Sequence, residues 1–276
     1  MDIAADVLSE IVAHYRDGIE LPRLTKGTGP LEYLRTQELL QRYLPAPPAV
    51  VVDVGGGPGV YAGWLAELGY TVHLLDPVPL HVSQAADASR RQLRPLASVG
   101  VGDARELPFS EGNADAVLLL GPLYHLTRRE DRLAALREAF RVLRVGGRVF
   151  AVGISRFASA LDGLKSGYLD DPAFVSICER DLLDGQHRNP ANTPSYFTTA
   201  YFHQPAELKD EMVDSGFQHE DTFGIEGPAW LLQDFCEQWE DLSKRERLLA
   251  ITRAVERQPS LLGVSAHLLA VGVKTL

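Results

Sequence analysis

The chain has 276 residues, 45% of them hydrophobic, and a formal net charge of −10: enough apolar material for one large α/β core or a core with a sizeable insertion, and no Lys/Arg cluster dense enough to follow a phosphate backbone, which sets nucleic acid aside as a partner. The two cysteines, Cys178 and Cys236, lie far apart in no metal-type spacing and read as incidental thiols of a reducing compartment. The segment MDIAADVLSEIV has early acids and no basic n-region, and the longest apolar runs, such as 116–120, are too short to span a bilayer, so a cytoplasmic protein without a membrane segment is expected.

Residues 1–44 read as two helices laid over the sheet ahead of its first strand. The run 49–54 (AVVVDV) is short, β-branched and ends in glycines, which predicts a buried parallel strand and a tight turn. Val60, Trp64, Leu65 and Leu68 fall at helical spacing, with Gly69 where a C-terminal cap belongs. Strands are predicted at 71–75, 97–101 and 114–120, with a helix from Val78 to about Arg91 between the first two. Thr127 and Glu130 have the spacing of a capping box. Leu133, Leu136, Phe140 and Leu143 then form one apolar stripe, Gly146-Gly147 is expected to end that helix, and 148–152 reads as a fifth strand. Strand and helix alternate over 49–152, the pattern of a doubly wound parallel sheet.

The rhythm breaks at 153–203, where aromatics, prolines and the loop DLLDGQHRNPANTP suggest a lid or binding insertion. Pro205 then opens a helix with Leu208, Met212 and Val213, closed by Gly216; 217–225 reads as a sixth strand, 229–257 as largely helical and 267–273 (HLLAVGV) as the last strand. The expected division is 1–44 as an N-terminal helical cover, 45–152 as a cofactor-binding core, 153–203 as a substrate-cap insertion after strand five, and 204–276 as the rest of the core sheet with its helices.

The turn Asp53-Val-Gly-Gly-Gly-Pro-Gly59 carries the most information. Its glycines let backbone N–H groups approach a ligand beside a helix N-terminus. The dinucleotide fingerprint G-x-G-x-x-G would need glycine where Val60 stands, which counts against an NAD-binding oxidoreductase. Asp76 ends the second strand, where a carboxylate can accept from both hydroxyls of a ribose; Asp103 follows the third, in VGDARELPF. Each acid alone reads as a helix cap or a solvated turn, but three in order at the carboxyl ends of predicted strands point to a ligand. Arg105 and Glu106 read as surface.

The segment D-x-G-x-G-x-G resembles motif I of the class I S-adenosylmethionine (SAM)-dependent methyltransferases, and DARELPF is similar to the D-A-x-x-L-P-F segment of the same family. The resemblance covers 49–152 closely and the final strand more loosely. With GPLEYLRTQELL, GPLYHLT and SAHLLAVG, the chain is also similar to a group of actinobacterial small-molecule methyltransferases of the type 11/25 kind. The resemblance implies an α/β, doubly wound, Rossmann-like seven-stranded sheet with N-terminal helices, its last strand antiparallel beside the sixth. It implies SAM as cofactor and S-adenosylhomocysteine as product. On it, Asp53, Gly55, Gly56, Gly57 and Gly59 cradle the amino-acid part of SAM with Tyr61 beside it, Asp76 and Pro77 take the ribose, and Gly102, Asp103 and Ala104 meet the adenine. Leu120 and Gly121 lie where acceptor and SAM meet. Arg35, on an N-terminal helix, either pairs with the SAM carboxylate or lies on a solvated helix face.

A sulfonium methyl is already activated, so positioning and water exclusion can do most of the work, and a general base is needed only if the acceptor loses a proton. Tyr124 and His125, in LGPLYHL after strand four, are the candidates at the methyl group; His125 either takes a hydroxyl proton or bonds backbone at a helix start. This segment is not the Asn/Asp-Pro-Pro-aromatic motif used on amino groups of bases. Arg156, His187, Tyr196, Phe197, Tyr201, Phe202, His203 and Trp230 form either an amphipathic acceptor pocket or a local core under a long loop; Arg156, Tyr196, Tyr201, His203 and Trp230 are the candidate substrate contacts. No metal-type spacing is present. The reading is a methyltransferase with a small-molecule acceptor, as a monomer or homodimer; a non-catalytic SAM-binding module and a protein methyltransferase remain open beside it.

Overall fold

Five residues, Val50–Val54, form β1 at the centre of the sheet because four of them are wholly buried and a parallel strand covered on both faces tolerates an unbroken apolar run. In the computed structural model, which describes residues 20–276 together with Glu10 and Tyr15, β1 lies between β2 (Thr71–Asp76) and β4 (Ala114–Leu119), parallel to both. β3 (Ser98–Val101) continues the sheet beyond β2, and β5 (Leu143–Ser155) beyond β4. The last strand, β9 (His267–Val273), runs antiparallel to β5, and β8 (Gln218–Gly224) antiparallel to β9. The seven expected strands are therefore present, in the order β3-β2-β1-β4-β5-β9-β8. The chain reverses direction across the sheet between β1 and β4, and a crevice opens at the carboxyl ends of those strands.

Successive residues of β5 enter opposite layers. Val149 and Ala151 pack with Leu119, Leu136 and Met212, whereas Phe150 and Val152 pack with Leu39, Leu65 and Leu74. Helices therefore cover both faces. On the side of Phe150 lie α1 (Gly29–Tyr43) and α2 (Val60–Glu67); on the side of Val149 lies the helix Arg129–Val142. Of the two helices expected in 1–44, the first falls largely outside the described residues. Among the described residues no helix is long and apolar enough to cross a membrane.

Three local expectations are corrected. Thr127 and Glu130 do not form a capping box: the helix starts at Arg129, its N-cap Arg128 makes no side-chain cap, and the Thr127 carbonyl is taken by Arg132 and Gln186. Gly146-Gly147 does not end that helix, which stops at Val142; both glycines lie inside β5, where Gly146 takes a φ of 80°. The stretch 153–203 is not aperiodic loop. It holds the helices Ala158–Ser166 and Pro172–Asp184, closed by left-handed Gly167 and Gly185, and the short strands β6 (Gln186–His187) and β7 (Ala200–His203). β7 pairs parallel with Ile154 and Ser155 at the end of β5. Because β9 already holds one edge of β5 through Ile154 and β4 stops pairing at Ala151, β7 takes the edge that β4 vacates. The insertion thus joins the sheet above the crevice, bringing it to nine strands.

Candidate active site

The crevice is floored by the turn after β1. Gly55 and Gly56 donate to the Leu75 carbonyl (2.7 and 3.3 Å), which fastens the turn to β2. No side chain fits there: a Cβ on Gly55 would lie 2.8 Å from the Pro122 ring, and one on Gly56 2.7 Å from Asp53 Oδ2. Gly57, with a φ of 56°, opens into the cleft, where among the described residues only Glu20 comes near. Gly59 begins α2 in a left-handed conformation and does not line the cleft.

The three acids sit at three strand ends but in different states. Asp53 is 1% exposed and, among the described residues, neither carboxyl oxygen has a hydrogen-bond partner. Burial, then the charge of Asp76, lift its carboxyl to about 7. A buried acceptor pair left orphaned in a cleft suits a cationic or hydrogen-bond-donating ligand. Asp76 is oriented by three donors: Gly57 N to Oδ2 at 2.9 Å, Val78 N to Oδ1 at 2.9 Å, and His81 Nδ1 at 3.1 Å. Asp103 is half-exposed and held by Arg105, whose backbone N–H donates at 2.8 Å and whose guanidinium grips both oxygens. Burial alone would raise the Asp103 carboxyl, but these bonds hold it below the usual range. Arg105 also reaches Asp131 at 3.1 Å and lines the cleft, so its reading as plain surface is corrected.

Pro122–His125 is a single helical turn after β4 that brings Tyr124 and His125 to the cleft. Burial lifts the Tyr124 phenol far above its ordinary value, so it stays protonated. His125 Nε2 lies 3.0 Å from the Tyr15 hydroxyl, and its ring packs on Tyr124 (4.8 Å between centroids) and Phe197 (6.0 Å, 26° between planes).

Of the other candidate residues, Tyr61, Pro77, Gly102, Ala104, Leu120 and Gly121 line the cleft. Arg35 does not: it is fully buried, paired with Glu38 and Glu256, and turned toward the helix Leu242–Val255. Nor do the five candidate substrate contacts. Arg156 is bonded to Glu207 and the Phe202 carbonyl, Tyr196 to Asp171, and Trp230 to the Val264 carbonyl. Tyr201 lies over Arg132 and His203 against Glu211. Periodicity gave no sign of Glu20, Arg23 and Glu32, which line the cleft from the N-terminal side. Arg23 donates to both oxygens of Glu32 (2.6 and 2.9 Å) and to Glu20 (2.8 Å). Among the described residues, Glu32, Glu226 and His267 have metal-type donors within reach of one another. Burial opposes charge on His267, but Glu226 and Glu32 lift it to about 9. Its imidazolium donates to Glu226 at 2.5 Å, and Glu32 is taken by Arg23, so the cluster is an ion-pair network satisfied within the fold.

Residues 52–151 match the family described as a methyltransferase domain. The chain is 29% identical over 184 residues to a ubiquinone/menaquinone biosynthesis C-methyltransferase from Chromobacterium violaceum, covering 64% of this chain and 70% of that one. It is 34% identical over 167 residues to an uncharacterized methyltransferase from Mycobacterium bovis, covering 60% and 61%. The chain thus spans between three-fifths and seven-tenths of these relatives' length. A SAM-dependent methyltransferase structure from Methanosarcina mazei superposes with a TM-score of 0.58 at 20% identity, over 86% of this chain and 97% of that one, which speaks for the fold. With residues 52–151 matched to a methyltransferase domain and its sheet wound in the same way, the chain is similar to the SAM-dependent methyltransferases in its central domain and in its fold.

Proposed function

We propose that the chain transfers the methyl group of SAM to a small-molecule acceptor lying against Tyr124 and His125, by in-line displacement. The observation that carries this reading is that one cleft is lined both by the glycine turn with its three acids and by the Tyr124–His125 turn. Bound there, SAM supplies an electrophilic methyl on a positively charged sulfur. Asp76 accepts from the ribose hydroxyls, with its direction set by Gly57 and Val78. Asp103 and the backbone of Ala104 take the adenine edge. Gly55–Gly57 accommodate the amino-acid end, and Arg23, in place of Arg35, is the cation available to its carboxylate.

The acceptor's electron pair forms the bond to the methyl carbon as the carbon–sulfur bond breaks, leaving S-adenosylhomocysteine. A proton released by the acceptor goes to His125, the imidazole on that wall of the cleft. Tyr15 sets the ring through its hydrogen bond to Nε2. Tyr124, held neutral by burial, walls the site and excludes water. The quinone-biosynthesis relative makes hydroxylated aromatic rings the first acceptors to try. Because Arg156, Tyr201 and His203 face other partners, the insertion is proposed to support the acceptor wall rather than to contact the acceptor.

The test is calorimetric titration with SAM, S-adenosylhomocysteine and NADH, followed by transfer of labelled methyl to a panel of hydroxylated aromatics. Binding of both adenosyl ligands without NADH, and label transfer lost in His125→Ala with binding retained, is the expected result. Label transfer that survives His125→Ala would remove the histidine from the proton path.

A further inference from the structure

We propose that the buried Arg132–Glu211 pair is the positioning element of the acceptor-facing turn, setting from behind the direction in which Tyr124 and His125 enter the cleft. This rests on the reading that the acceptor lies against that turn. Arg132 and Glu211 are 1% and 2% exposed. An ion pair taken that far out of water gains little net stability over an apolar replacement, so what such a pair fixes is geometry.

The hydrogen bonds of the guanidinium are divided between two tasks. Nε and Nη2 fork onto the Glu211 carboxylate at 2.7–3.1 Å. Nη1 donates to the carbonyls of Leu126 (2.9 Å) and Thr127 (3.1 Å), the two residues directly after His125. Carbonyls at a helix end have no partner within the helix, and the next helix begins without a side-chain cap, so this connection is held by Arg132 instead. The Glu211 carboxyl would be raised by burial alone, but His203 and Arg132 hold it at about 2, so it is charged.

The insertion closes the clamp. The Tyr201 ring lies 3.7 Å from the guanidinium carbon, His203 Nε2 approaches Glu211 at 3.3 Å, and Gln186 Nε2 donates to the same Thr127 carbonyl at 3.0 Å. Two helices, the β6–β7 hairpin and the segment that follows the Pro122–His125 turn therefore meet at one arginine. A lysine could keep the charge but could not fork onto a carboxylate and reach two carbonyls at once.

The test compares Arg132→Lys, Glu211→Gln and Gln186→Ala with the wild type. Two readouts are taken: calorimetric affinity for S-adenosylhomocysteine, and the ring Hε1 NMR signals of the histidines, with His125 assigned through His125→Gln. Neither uses an acceptor, so the result bears on the clamp whether or not His125 takes an acceptor proton. In Arg132→Lys the His125 signal is expected to move, while His267 stays put and affinity changes by less than about threefold, since the clamp shares no hydrogen bond with the cofactor residues. Glu211→Gln should act in the same direction and Gln186→Ala least. An unmoved His125 signal overturns the proposal, as does one that moves only together with His267 and a loss of ligand binding. Should the first two variants fail to fold, Gln186→Ala decides on the same criteria.

Discussion

The two ends of the cleft are built in different ways. The end proposed for the cofactor is made of backbone: a glycine turn, three strand ends, and an acid within a few residues of each. Its Asp76 is oriented by Gly57 N, Val78 N and His81, all near it in sequence or in the adjoining turn. The end proposed for the acceptor is made of side chains from distant segments. Tyr15, Phe197, Arg132, Gln186 and Glu211 converge on the turn that carries Tyr124 and His125. A site built from local backbone survives side-chain change at its back, whereas a side-chain site is only as well placed as its supports.

The largest expected effect separates Arg35 from the cleft. Arg35→Gln removes one partner of a buried pair and should cost on the order of 3 kcal/mol of stability by denaturant unfolding, with cofactor affinity of the folded protein kept. Arg23→Gln should weaken S-adenosylhomocysteine, with a smaller loss of stability than Arg35→Gln because the Arg23 side chain is 37% exposed. Equal effects on affinity would erase the distinction between the two arginines. Next comes Asp76→Ala, which should weaken both adenosyl ligands by roughly 1.5–3 kcal/mol for each charge-assisted bond lost and leave the His125 NMR signal in place; calorimetry giving unchanged affinity would refute the ribose role.

A pH experiment sharpens the same contrast. The Asp53 carboxyl is lifted from 3.8 to about 7, so between those values the folded state keeps a proton that the unfolded state has lost. Stability should therefore fall as pH rises from about 4 to about 7, and Asp53→Asn should flatten that slope in thermal unfolding curves. Affinity for the cationic SAM should instead rise as pH passes through about 7, where Asp53 ionises in the folded protein; a flat profile there would show that Asp53 does not face the charge. The smallest effect is expected from Tyr15→Phe, which removes one hydrogen bond to His125, worth about 1 kcal/mol. It should shift the pH dependence of methyl transfer and leave S-adenosylhomocysteine affinity nearly unchanged.

The sequence by itself determined the winding of the sheet and the place of the glycine turn and its acids at the strand ends. Strands one to four and the last strand lie within one or two residues of where hydrophobic runs put them; for β1, β4 and β9 the reason is that a strand buried on both faces is apolar nearly throughout and ends at a turn. The glycine spacing and the acids at strand ends were legible for a similar reason: backbone approach to a ligand is encoded within a few neighbouring residues. Only the tertiary structure decided the rest. The helices of the insertion escaped notice because they mix polar with apolar residues and show no long apolar stripe. Arg156, Tyr201 and His203 looked like pocket residues and are bonded elsewhere, while Arg23 and Glu20, read only as part of a helical cover, line the cleft. Side-chain type shows what a residue can bond, but the partner it finds depends on which distant segments the packed core brings to it.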